Sequence, residues 1–219
     1  MESSSVTTAL REGLPPLPSR MQTLKLDHRG YPVPWFVAWI DGKPDFRVMD
    51  GDKLQQAVRF KKCWVCGSPL GRRFTFCIGP MCAITRTIGE PPSHFECVDF
   101  SARACPFLTL PKAQRRDTNL PEGKWSPTGL RRNPGAVLLW TTERYRVIRG
   151  DAGEPLFRLG DPLALSWLAE GRTATRAEIL ESIESGLPML HEVAVREGRG
   201  AIEGLTEAIN RGMQLVPVA

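Results

Sequence analysis

Residues 63–105 read CWVCGSPLGRRFTFCIGPMCAITRTIGEPPSHFECVDFSARAC. All six cysteines of the chain lie in this stretch, together with His94, one of three histidines. Cysteines that only fill a core are scattered along a chain, and these are not. Cys63-Trp64-Val65-Cys66-Gly67 has the C-x2-C-G form of a metal knuckle. The two-residue gap lets both sulfurs turn onto one ion, and the glycine relieves the tight turn after the second ligand.

A closed site needs a second ligand pair, and the stretch offers two. The first is His94 with Cys97. Pro91-Pro92-Ser93 signals a helix start, with Ser93 as cap and Glu96 three residues on. His94 and Cys97 then stand three apart on the first turn, where the helix N-terminus favours a thiolate. The alternate pair is Cys77 and Cys82, a C-x4-C spacing around Gly79-Pro80. Cys105, followed by Pro106, is expected as a buried thiol at a helix end. Cys63, Cys66, His94 and Cys97 would close a tetrahedron around zinc, which makes the expected site structural rather than catalytic. An iron–sulfur cluster is the runner-up.

Upstream, residues 1–20 are polar and proline-rich and are expected to form a disordered tail. VPWFVAWI and DFRVM, joined by Asp41-Gly42, predict a β-hairpin over residues 33–49. Its Trp35, Phe36 and Trp39 are expected in the core. A short helix over 53–59, capped by Asp50 or Asp52, leads to the first cysteine pair. Downstream, residues 111–134 read as a basic loop. Short strands are expected at 136–141, 145–149 and 156–159. Helices are expected from Asp161 to Glu170, from the Thr175 capping box to Ser185, over 188–197, and over 201–215.

The expected fold class is α+β, with small antiparallel hairpins around a metal module at 62–106 and a helical C-terminal region. The expected units are the tail, an α+β domain at 21–160, and helices over 161–219 packed on it. Knuckle, hairpin (residues 70–78) and ligand-bearing helix, in that order, resemble the treble-clef zinc fold. More broadly, GYPVPWFVAWIDGKPDFRV, CWVCG, IGPMCAI, EPPSHFECVDFSARACPFL and WLAEGRTATRAEILESIESGLP resemble a set of uncharacterised bacterial and phage-associated proteins. That resemblance implies a bacterial or mobile-element protein and supplies no activity.

The 219 residues carry a formal charge of +5, unevenly placed. Residues 1–150 hold a net +10 and residues 151–219 a net −5. No acid interrupts residues 57–73, which carry Arg59, Lys61, Lys62, Arg72 and Arg73 around the knuckle. With Arg115, Arg116, Lys124, Arg131 and Arg132 these are the expected contacts to nucleic acid, the leading partner. Trp125 is a candidate for stacking. No apolar run spans a bilayer and no signal peptide is recognisable, so the expected location is cytoplasmic, where thiols stay reduced. His28 and His191 sit in no motif, and no nucleophile elbow or phosphate loop occurs. The expectation is therefore a binding protein rather than an enzyme. The alternatives are a protein-interaction module using the helical tail, and an enzyme with a pocket between the aromatic hairpin and the metal module.

Overall fold

In the computed structural model, residues 9–116, 118–120 and 132–218 are described. The elements, in order, are β1 (Val37–Ile40), β2 (Lys43–Met49), α1 (Gly51–Phe60), β3 (Phe74–Ile78), α2 (Pro80–Thr85), β4 (Thr87–Ile88), α3 (Phe95–Ala104) and α4 (Pro106–Thr109). They continue as β5 (Ala136–Thr142), β6 (Tyr145–Arg149), β7 (Pro155–Leu159), β8 (Ala164–Ala169), β9 (Arg172–Thr173), α5 (Arg176–Glu197) and α6 (Arg199–Met213). The class is mixed α+β with antiparallel sheets, as expected.

The centre is a four-stranded sheet in the order β3-β5-β8-β9. All seven residues of β5 are buried, as suits an inner strand covered on both faces. The alternation of a strand then assigns the two faces. Phe74, Phe76, Ile78, Leu138 and Trp140 face one core, with Ile84, Phe157, Ile179 and Ile183. Val137, Leu139 and Leu168 face the other, against Val98 and Ala102 of α3. A smaller sheet, β4-β7-β6, brings Phe157 and Leu159 to the first core.

The Asp41-Gly42 hairpin forms as expected, with φ of 49° and 75° at the two turn residues. Asp50 caps α1, its carboxylate accepting from the Asp52 and Lys53 N–H groups. Lys61 then takes a left-handed conformation, ends the helix and delivers the chain to Cys63. Within residues 9–20, Leu14 and Leu17 pack on the cluster around Met21, and Arg11 N–H donates to the Gly30 carbonyl.

Three expectations are corrected. Residues 164–169 are a strand, not part of a helix from Asp161: β8 pairs along β5, and Glu170-Gly171, both at positive φ, form the turn into β9. A glycine after an apolar run ends a helix or turns a hairpin, and the partner strand decides which. The sheet therefore crosses residue 160. Second, the expected hairpin over 70–78 is a single strand, β3, whose partner is the distant β5. Third, residues 176–197 form one helix through Gly186 and Pro188 rather than two. Gly186 serves packing instead: a Cβ there would stand 2.8 Å from the Met81 side chain of α2. Gly212 of α6 approaches Ile84 equally closely, so α2 is wedged against both long helices.

Candidate metal centre and basic face

Four side chains converge beside α3. Cys63, Cys66, His94 and Cys97 each offer one ligand atom, and the four atoms lie within 4.8 Å of one another. That is close enough to bind a metal ion. The three cysteines are buried and the histidine is half-buried.

Each is held by local backbone. Cys63 N–H donates to Ser68 O and Gly67 N–H to Cys63 O, closing the knuckle. Gly67 sits at φ +78°, and a Cβ there would meet the Trp35 ring at 2.7 Å. Trp35 N–H in turn donates to Val65 O, which docks the aromatic hairpin on the knuckle. On the other side, Ser93 pairs with Thr75 of β3 and is buried. It does not cap α3. The cap position is His94 itself, without a side-chain cap bond, and Glu96 pairs outward with Arg20 at 3.0 Å. The capping box expected there is absent. His94 and Cys97 nevertheless keep their three-residue spacing at the helix start.

The histidine is oriented for ligation. Its Nε2–H donates to the Pro69 carbonyl at 3.1 Å, since a carbonyl can only accept. This leaves the Nδ1 lone pair facing Cys66 Sγ at 3.5 Å and Cys97 Sγ at 3.9 Å. A second bond that fixes the tautomer is the usual support of a metal-bound imidazole. Cys63 Sγ accepts from the N–H groups of Cys66 and His94, both at 3.4 Å. The Cys66 and Cys97 thiols, with these N–H groups, hold the Cys63 thiol far below its usual range despite burial. Cys66 is pushed up mainly by Cys63, and Cys97 by Cys63 and Cys66. The sulfurs thus oppose one another's ionisation, and ionising all three requires a cation.

Cys77 and Cys82 lie outside this group. Burial pushes the Cys82 thiol up to about 11 and raises Cys77 further, so both stay protonated at neutral pH. With Cys105 they neighbour Glu90, whose carboxyl is raised by desolvation although the residue is exposed at the surface. These four residues form a group beside the end of β3. The sequence gives no motif for it, because its members come from β3, α2, the loop before α3 and the α3–α4 junction.

The basic residues divide. Leu70 N–H donates to Lys61 O at 2.8 Å and Lys62 bridges to Pro69, so the two halves of the basic run lie together. Arg59, Lys61, Arg72 and Arg73 are exposed and Lys62 half-buried. None of the five has an ion-pair partner among the described residues. Lys62 reaches Gln56 at 2.9 Å and covers the Trp35 ring. Arg115 is turned inward, bonding the Arg47 carbonyl, and Arg132 donates to Ser185 O at 3.0 Å on α5. Arg116 is exposed. Lys124, Trp125 and Arg131 lie outside the described residues.

No family model, no curated protein and no solved structure matches this chain. Among the described residues, no helix is long and apolar enough to cross a membrane.

Proposed function

We propose that the chain is a zinc-stabilised binding module that takes nucleic acid on the basic face beside its knuckle. Zinc is supported by the donor set and by size. With Zn–S of roughly 2.3 Å and Zn–N of roughly 2.05 Å, a tetrahedral site separates sulfur from nitrogen by about 3.6 Å. The His94 Nδ1 distances of 3.5 and 3.9 Å match a single ion. An iron–sulfur cluster would spread its ligands further. Three thiolates and one imidazole leave no open position, so the ion's role is to hold the knuckle on the helix. In this reading the segment is treble-clef-like, with β3, α2 and β4 in place of the hairpin.

The observation that carries the binding reading is the set of five cations, Arg59, Lys61, Lys62, Arg72 and Arg73, on two bonded segments, with no carboxylate paired to them among the described residues. Neutralising phosphates releases counterions and favours association with a polyanion. About four phosphate contacts would weaken duplex binding roughly 100-fold between 50 and 200 mM salt. The test is a salt titration of nucleic-acid binding by fluorescence anisotropy, with Arg72→Ala/Arg73→Ala alongside. Each lost contact should flatten the log–log slope by about 0.9. No binding to mixed DNA or RNA at low salt would end the proposal.

A second reading has its own observation. Met189, Val193, Val195 and Ile202 are exposed apolar residues on α5 and α6. A protein partner seated there would survive high salt in a pull-down, where nucleic acid is released.

A further inference from the structure

Two phenyl rings stand in the open beside the basic face. Phe60, the last residue of α1, is 54% exposed, and Phe95, the first of α3, is 47% exposed. Both are fixed to one short segment. Phe60 precedes Lys61, whose carbonyl takes the Leu70 N–H at 2.8 Å. Phe95 follows His94, whose Nε2–H bonds Pro69 at 3.1 Å. Pro69 and Leu70 therefore lie between the backbones that carry the two rings, and Arg72 and Arg73 leave the same segment. The Arg59 guanidinium lies over the Phe60 ring, 5.1 Å from its centroid. The nearest acid in sequence, Glu96, is neutralised by Arg20 at 3.0 Å.

Single exposed apolar side chains are ordinary, but these two rings flank one cationic segment and neither belongs to a core cluster. Duplex DNA hides its base faces in the stack, so a phenyl ring gains little from it. An unpaired strand offers phosphates to the cations and base faces to the rings, and stacking accepts any base.

We infer that the partner is single-stranded nucleic acid, with bases stacked on Phe60 and Phe95 and its backbone along Lys61, Arg72 and Arg73. This rests on the nucleic-acid reading above and narrows it. The strand is recognised by its exposed bases rather than by its sequence, and the face discriminates against duplex because paired bases cannot reach the rings.

The experiment compares fluorescein-labelled oligo-dT, oligo-rU and a mixed-sequence DNA duplex of equal length, on the metal-loaded full chain. The expected result is tighter binding of both single strands than of the duplex. Phe60→Ala should weaken single-strand binding about 5- to 150-fold, the loss of one stacked base, without changing the salt slope or the melting temperature. Phe60→Trp should preserve or tighten it. Phe95→Ala should act alike, and oligo-dT against oligo-rU reads whether the sugar matters. Equal affinity for strand and duplex, with Phe60→Ala and Phe95→Ala silent, would overturn the inference while leaving salt-dependent binding intact. Absence of binding to all three probes would remove both readings together.

Discussion

Gly67 shows how much one residue position can require. Its φ of +78° costs an L side chain roughly 1–2 kcal/mol, and a Cβ would also press into the Trp35 ring at 2.7 Å. Gly153 has nearly the same φ, +82°, but open space around it. Gly67→Ala should therefore destabilise by about 2–4 kcal/mol, with overpacking added to the backbone term, and Gly153→Ala by only about 1–2 kcal/mol. Urea denaturation of the two variants measures the difference. Glu178 makes a second prediction at this scale. The Arg172 guanidinium, with the Thr175 N–H and hydroxyl, lowers its carboxyl from 4.5 to about 2. A lowered carboxyl contributes stability that is full above pH 4.5 and is lost as pH falls from there towards 2. Glu178→Gln keeps the acceptor for the Thr175 N–H but loses the partly exposed ion pair with Arg172, so it should cost about 0.2–1 kcal/mol at pH 7 and almost nothing at pH 2. Thermal melts across that range would show it. At this scale the sequence was most readable: the C-x2-C-G spacing, the Asp-Gly turn and the Thr175 capping box each act within a few residues of themselves. The role of His94 as cap was hidden, because Ser93 is drawn into a bridge with Thr75, eighteen positions earlier in the chain.

Helix α3 shows why the module is not an appendage. Val98 and Ala102 pack on the central sheet, while Cys97, Phe100 and Ala104 face Met21 and the knuckle cysteines. The spacing i, i+3, i+7 on one side and i, i+4 on the other gives one helix two buried faces. Phe100, only 4% exposed, fills the space between ligand helix and N-terminal segment. Phe100→Ala should cost about 3–5 kcal/mol and also speed metal loss to a chelator, because the same helix carries Cys97. If stability fell with no change in the chelation rate, the coupling of packing to site would be wrong. Elements were less legible than residues for a related reason. The run Ala-Leu-Ser-Trp-Leu-Ala before Glu-Gly fits a helix as well as a strand, and only β5, some thirty residues earlier, decides between them. The same holds for β3, read as half of a local hairpin although its partner lies beyond residue 135. Pairing at long sequence distance leaves no local signal.

For the molecule as a whole, the knuckle, the ligand helix and the central sheet share side chains, so loss of the ion should be felt beyond the site. Without a cation, each of the three sulfurs opposes the ionisation of the others, so the cluster loses what holds its thiolates together. If the site holds zinc as proposed, its removal with a chelator is expected to lower the melting temperature and expose Trp64, buried at 3% and stacked on Phe36 at 4.8 Å. A red shift of tryptophan emission on chelation, reversed by added zinc, would report it. The charge division and the five cations around the knuckle were legible in the sequence, but the diversion of Arg115 and Arg132 to other contacts was not. Arg115 and Arg132 belong to β2 and α5 contacts, whereas Lys61 and Leu70 are brought together by a backbone bond that spacing does not reveal. The grouping of Cys77, Cys82 and Cys105 near Glu90 was equally invisible, since the four residues are spread over some thirty positions of sequence.

The most direct test is the metal content of the purified chain, measured by elemental analysis for the wild type, Cys97→Ser, His94→Ala and Cys82→Ser. One zinc per chain is expected in the wild type and in Cys82→Ser, and loss of it in Cys97→Ser and His94→Ala. Zinc retained in both of those variants, lost in Cys82→Ser, or replaced by iron with visible absorption would contradict the assignment of the four ligands.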